Sequence, residues 1–221
     1  IYSAAIQDYE RGIIIGSTTT GKGTAQVQLD SLAHGQATLT QRKFYRVTGG
    51  STQNKGVIPD IRLVDIYNEE FGERKAKNAL KWDTIPTAPF KREGSVQPYV
   101  AKLNQTSGQR VATDPQFKYL ETRKTLAKKT ADEKKVVLDI DQRRAELVDL
   151  EKQTLDAENQ RRAATGQPPY ANWESYQASI DALVESRAKM KAHLRPPLPE
   201  EEAFITEAAN VLLDYAALQG R

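Results

Sequence analysis

The stretch Gly12-Ile13-Ile14-Ile15-Gly16-Ser17-Thr18-Thr19-Thr20-Gly21-Lys22-Gly23-Thr24-Ala25-Gln26-Val27-Gln28-Leu29 decides the fold class. Its first part, three isoleucines between glycines, reads as a strand buried on both faces. Its last part, Thr24 to Leu29, alternates polar and apolar, so it reads as a strand with one wet face. The apolar pattern Ile1, Ala4, Ala5, Ile6 up to Tyr9 precedes them and reads as a helix. Helix followed by buried strand places the opening of the chain among folds that layer helices on a sheet.

A further strand is expected from Ala37 through Val47, with a hairpin return over Asp30 to Gln36 around Gly35. Gly49-Gly50 closes it. Gly56-Val57-Ile58-Pro59-Asp60-Ile61 ends the sheet region with an extended residue before proline.

After Tyr67 the composition changes to charged, alanine-rich and helical. Asn68 to Glu93 wanders, with Trp82, Pro86 and Pro89, and reads as a connection. Asp114-Pro115 is an N-cap with proline at the first helical position, which predicts a helix to about Thr130. Val136-Val137-Leu138 reads as short and extended. Asp141 to about Ala164 is expected as a helix with Leu147, Leu150 and Leu155 on one side, ended by Gly166 and Pro168-Pro169. Trp173 to Leu194 is another, carrying Tyr176, Ile180, Leu183 and Val184 at helical spacing. The last opens at Pro199-Glu200-Glu201-Glu202, acids that the helix dipole favours, with a core face of Ile205, Ala208, Ala209, Leu212 and Tyr215. Trp82 and Trp173 are expected as anchors between domains.

Composition excludes several function classes. The 221 residues contain no cysteine, which rules out a disulfide scaffold, a thiol nucleophile and thiolate metal sites. The 32 basic and 29 acidic residues leave a net charge of +3, too even to argue for nucleic acid, and Lys128-Lys129 and Lys134-Lys135 read as solvated faces. No apolar run is long enough for a membrane span, and the longest early one, Ile13-Ile14-Ile15, has no basic stretch before it. The 38% hydrophobic content fits a compact part joined to a solvated helical one. Ile1 opens within the helix pattern without a capping residue, which predicts a piece of something longer.

The chemistry sits in Gly16 to Thr24. Gly16, Gly21 and Lys22 match a phosphate-binding loop, but Gly23 stands where that loop needs a hydroxyl, and a strand pattern follows where it needs a helix. A second reading makes Lys22 a general base. A lysine serves as base near neutral pH when burial lowers its pKa from about 10.4, and a polar neighbour must aim the amine. Gln26, four residues on, is placed to do so. A third reading leaves the loop structural. Ser3, inside the helix pattern, reads as packing, and Thr18, Thr19 and Thr20 lack a base to make one of them a nucleophile. His34 and His193 read as surface residues, and a zinc site is not expected. Of Phe44 and Tyr45, one is expected in the core.

Several motifs together resemble the tail-specific, or C-terminal processing, serine proteases, closest to the long periplasmic type of Gram-negative bacteria. They are Ile1-Tyr2-Ser3-Ala4-Ala5-Ile6-Gln7-Asp8-Tyr9, Gly21-Lys22-Gly23-Thr24-Ala25-Gln26, Lys43-Phe44-Tyr45-Arg46-Val47-Thr48-Gly49-Gly50-Ser51-Thr52-Gln53 and Lys55-Gly56-Val57-Ile58-Pro59-Asp60-Ile61. Asp114-Pro115-Gln116-Phe117 and the closing helix are looser matches to that type's helical domain. The resemblance implies an α+β fold: part of a crotonase- or Clp-protease-like catalytic domain over 1–66, a connecting segment over 67–112 and a helical C-terminal domain over 113–221. It implies a Ser–Lys dyad with Lys22 as base and Gln26 orienting it. The serine would lie ahead of Ile1, so the chain alone is expected to be inactive. It also implies protein or peptide substrates with exposed C-termini, an adaptor protein as a further partner, no nucleic acid, no membrane span, no metal or organic cofactor, and a periplasmic location, at most peripheral to the inner membrane. The rival expectation is a non-enzymatic binding or adaptor-docking module with a structural glycine–lysine loop.

Overall fold

The computed structural model describes residues 1–29, 32, 34–65 and 72–220. Two compact units divide the chain: Ile1–Thr106 with Leu213–Arg221, and Ser107–Leu212. The domain boundary expected at 66/67 lies outside the described residues, as do Asp30, Ser31 and Ala33 of the expected hairpin turn.

The first unit opens with helix α1, Tyr2–Asp8, followed by strand β1, Ile15–Gly16. β1 pairs in parallel with β4, Ile61–Arg62, in the register Ile15 to Ile61 and Gly16 to Arg62. The strand expected across Gly12 to Gly16 is thus shorter, and its isoleucines are half-buried instead of enclosed on both faces. The physical reason is pairing: among the described residues β1 has β4 as its one partner strand. Ile14 continues the contact outside the strand. Its carbonyl accepts from the Asp60 and Ile61 amides, and its own N–H donates to the Asp60 carboxylate at 2.8 Å.

β2, Thr24–Leu29, and β3, Ala37–Lys43, form an antiparallel hairpin. Thr24 faces Lys43 and Ala25 faces Arg42, but Gln26 then faces Thr40, so a bulge on β3 skips Gln41. One extra residue on one strand moves every later side chain to the opposite face, and here it brings Thr40 beside Gln26. The strand expected to reach Val47 ends at Lys43, because the chain turns back: the Arg46 amide donates to the Gly50 carbonyl, and Tyr45 bridges to Ser51. Val57, Ile61, Leu63, Val64, Val96 and Leu103 are buried in this unit.

The segment expected as a connection holds a 3-10 turn at Glu73–Lys75 and then a 17-residue helix, α2, Gln97–Thr113. Its polar run from Asn104 to Gln109 has weak helix propensity, and burial of Leu103 overrides it.

In the second unit α3 spans Pro115–Asp132, its first turn capped by the Asp114 carboxylate, which accepts from the Gln116 and Phe117 amides at 2.7 and 3.3 Å. α4 spans Ile140–Ala164 and is capped by Asp139, two residues ahead of the expected start. α5, Trp173–Lys189, opens on a capping box between Asn172 and Ser175 and stops short of the expected Leu194, because Met190 is extended. A 3-10 turn follows at Ala192–Leu194.

α6, Pro199–Leu218, departs most from expectation. Its buried positions are Ala203, Glu207 and Val211, while Ile205 and Leu212 are 60% and 66% exposed. The cause is a charge. Glu207 is held by the Arg110 guanidinium at 2.8 Å, so the buried stripe runs through a residue that patterning scores as polar. Phe117, Tyr119, Leu120, Ala157 and Tyr176 are buried in the same unit. Trp173 packs on Tyr176, and Trp82 donates to the Ser51 carbonyl. Among the described residues no helix is long and apolar enough to cross a membrane.

Candidate active site

Gly21 and Gly23 are buried, and the lysine between them is exposed. The glycines are required by a close approach. Gly21 has φ +78°, and a Cβ on Gly23 would lie 2.5 Å from the Gln53 amide nitrogen. Their backbones are bonded on both sides of Lys22: the Gly21 carbonyl accepts from the Asn54 amide at 2.8 Å, and the Gly23 carbonyl from the Phe44 amide at 2.7 Å. The chain then enters β2.

This geometry removes the nucleotide reading. A phosphate loop presents free amides at the start of a helix, whereas here a strand follows and the Gly23 N–H is taken by the Gln53 side chain at 2.7 Å. It also places the Lys22 side chain at the surface. With the glycine backbones packed inward against residues 53–56, the intervening side chain is left outside.

The Lys22 ammonium donates to Gln26 Oε1 at 2.7 Å. The amide end of Gln26 donates to Thr24 Oγ1 at 3.1 Å and Thr40 Oγ1 at 3.2 Å. Those two hydroxyls accept the NH2 group, so the carbonyl oxygen turns to the lysine. Thr40 owes its place to the β3 bulge, which the sequence does not announce. Beneath the loop Gln53 Nε2 donates to Glu73 Oε1 at 2.9 Å. Thr24, Thr40, Gln53 and Glu73 are the residues to which sequence reasoning gave no role in the site; Thr24 and Gln53 lay within quoted motifs, Thr40 and Glu73 in none.

The threonines ahead of the lysine are structural. Thr19 Oγ1 accepts from the Val57 amide at 2.8 Å, Thr18 Oγ1 from Arg62 at 3.2 Å, and the Thr20 carbonyl from the Glu73 amide at 2.9 Å. Ser3 is half-buried on α1, and among the described residues Lys22 hydrogen-bonds Gln26 and no serine. His34 and His193 are both exposed.

Other motif residues brace the unit. Arg46 forks onto the Asp8 carboxylate and donates to Gln7 Oε1, and Gln7 in turn donates to Asp60 Oδ1 at 2.9 Å. Phe44 and Tyr45 are half-buried and line, with Ala4, Ala5, Tyr9 and Thr52, a cavity of about 210 Å³. Lys43 bonds Asp83 at 2.7 Å and holds its carboxyl below the usual range. In the second unit burial pushes the Tyr119 phenol up.

Two family models match the chain. Residues 66–217 match the C-terminal domain of tail specific protease, and residues 1–63 match Peptidase family S41. A tail-specific protease of Haemophilus influenzae is 42% identical over 159 residues, which cover 66% of this chain and 23% of that protein. A carboxy-terminal-processing protease of Bartonella bacilliformis is 38% identical over 71 residues, 32% of this chain and 16% of that protein. The chain therefore spans less than a quarter of the length of these curated relatives.

Proposed function

The chain belongs to the tail-specific protease family, and from that premise we propose that it is the C-terminal part of a serine endopeptidase in which Lys22 is the general base. The observation that carries this reading is the 2.7 Å bond from the Lys22 ammonium to a Gln26 carbonyl oxygen whose own orientation is set by two threonines. A base on a flexible side chain needs such a partner to hold its nitrogen in one place.

The nucleophilic serine comes from outside these 221 residues. Lys22 in its neutral form takes the proton from the serine hydroxyl as the oxygen attacks the scissile carbonyl. The lysine then gives that proton to the leaving amine, and the acyl-enzyme remains. Lys22 next draws a proton from a water, which attacks the ester carbonyl, and returns it to the serine as the acid product leaves.

In this reading residues 1–66 belong to the catalytic domain, 67–112 connect, and 113–221 form a helical domain. The substrates are proteins with exposed C-termini, delivered in some cases by an adaptor. The location is the periplasm, at most peripheral to the inner membrane. The 221-residue chain alone does not hydrolyse peptides.

The test is peptide hydrolysis by the full-length protein and its Lys22→Ala variant. Loss of a general base lowers kcat by about 10²–10⁴-fold. A Lys22→Ala protein that cleaves as fast as the parent sinks the reading and favours a binding module. Gln26→Leu sharpens the test: it removes the oxygen that aims the ammonium, so kcat falls while KM holds.

A further inference from the structure

Gln53 is fully buried, and both ends of its side-chain amide are engaged: Oε1 accepts from the Gly23 N–H at 2.7 Å, and Nε2 donates to Glu73 Oε1 at 2.9 Å. Its backbone is fixed as well, since its own amide donates to Ser51 Oγ at 3.0 Å. Glu73 is half-buried and sits on the 3-10 turn, with its backbone amide on the Thr20 carbonyl at 2.9 Å. A chain of hydrogen bonds therefore runs from Glu73 through Gln53 to the peptide group joining Lys22 to Gly23.

We propose that Gln53 is a positioning residue for Lys22, and that Glu73 fixes the orientation in which Gln53 works. The inference rests on Lys22 being the catalytic base. An amide can sit in its slot two ways. With its oxygen toward Gly23 it accepts the N–H; turned over, it presents NH2 to that donor and the bond is lost. The Glu73 carboxylate accepts only, so it selects the first orientation with a charge-assisted bond. The Gly23 carbonyl and Gly21 carbonyl are tied to Phe44 and Asn54, so the Gln53 bond is the side-chain member of the set that fixes the lysine's backbone. Gln26 holds the far end of the same side chain. Gln53 thus sets where the lysine starts, and Gln26 where it points.

The experiment uses the full-length protease with a peptide substrate. Glu73→Ala removes the carboxylate and leaves the backbone bond to Thr20 in place. Gln53→Glu keeps an oxygen for Gly23 but sets two carboxylates against each other. Each lowers kcat by about tenfold or more with KM within about twofold, as expected when geometry at the reacting group is lost and substrate binding is not. The double variant Gln53→Glu with Glu73→Gln keeps the Gly23 N–H donating to residue 53, remakes the bond between residues 53 and 73 with donor and acceptor exchanged, and returns kcat to within about threefold of the parent. A simple packing role gives no such recovery. Thermal melting of every variant establishes that it is folded. If Gln53→Glu does not fold, Glu73→Ala decides, because Glu73 is only half-buried. A folded Glu73→Ala with parental kcat, or a folded exchange variant without recovery, overturns the proposal. Lys22→Ala in the same assay separates the two failures: if it too retains activity, the catalytic reading falls first; if it is inactive, the positioning role alone is lost.

Discussion

The Arg46 guanidinium forks onto the Asp8 carboxylate, with its Nε 3.0 Å from both oxygens, and the Asp8 side chain is 4% exposed. The pair joins α1 to the turn after β3, and through Gln7 and Asp60 to the backbone entering β1. Removing one partner leaves a buried charge unpaired, so Arg46→Ala is expected to destabilise the first unit by about 3–5 kcal/mol. Arg46→Lys recovers only part, because an ammonium cannot make the fork. Urea unfolding followed by Trp82 fluorescence in a Trp173→Phe background reads this unit. A cost below about 1 kcal/mol would place the pair with ordinary surface ion pairs.

Two glycines are expected to respond in opposite directions to the same change. Gly23→Ala drives a methyl to 2.5 Å from the Gln53 backbone nitrogen, where nothing flexible can yield. Overpacking of this kind costs about 1–3 kcal/mol. Gly108 lies inside α2 with nothing within 4 Å of its added Cβ. There alanine restricts the unfolded chain and favours helix, a gain of about 0.5–1 kcal/mol. Urea midpoints moving the same way for both would refute the assignment of Gly23 as a close-approach glycine.

Local signals were legible where one short stretch decides the outcome. The alternation of Thr24 to Leu29 located β2, and Asp114-Pro115 located the start of α3, because a two-residue period and an N-cap act within a few residues. The spacing of Lys22 and Gln26 was readable for the same reason. Gln53 and Glu73 were not, since their meaning depends on three separated segments meeting under one loop. Thr40 depends on a bulge, and the buried face of α6 on Arg110 accepting Glu207 into an otherwise apolar stripe. In each miss a polar group found a distant partner, which no periodicity records.

Asp83 is a carboxyl group that the fold holds below its ordinary value. The Lys43 ammonium bonds it at 2.7 Å and holds its carboxyl below the ordinary value of 3.8, with Tyr45 adding a weaker hydrogen bond. Because the folded value is lower than the unfolded one, the contribution of this pair is complete above 3.8 and disappears as pH falls through the folded value. Lys43→Met is expected to move the Asp83 midpoint up toward 3.8. Carboxyl-carbon NMR titration of the two proteins reads it directly, and an unchanged midpoint would assign the depression to something other than Lys43.

Glu158 and Arg161 sit one turn apart on α4, each side chain 6% exposed, joined at 2.7 Å. The hydrogen bonds that Arg161 donates to the Glu158 carboxylate hold the guanidinium further in its charged state, and Arg161 also donates to Gln116 Oε1 at 3.0 Å and lies 5.6 Å from the Tyr119 ring. Burying two charges is costly, and their attraction does no more than offset that cost when the geometry is good. Breaking the pair and replacing it therefore have different consequences. Glu158→Ala leaves the guanidinium buried against an aromatic ring with no anion, and about 3–5 kcal/mol of the second unit's stability is lost. Glu158→Leu with Arg161→Met removes both charges and fills the same space, so its stability lies near the parent's or above it. Gln116 does not spoil the exchange, because it is half-buried and its freed amide can turn to water. Unfolding monitored by Trp173 fluorescence in a Trp82→Phe background distinguishes the cases. If the double variant were as unstable as Glu158→Ala, the pair would be a net source of stability, and the geometry of α4 would owe more to charge than to packing.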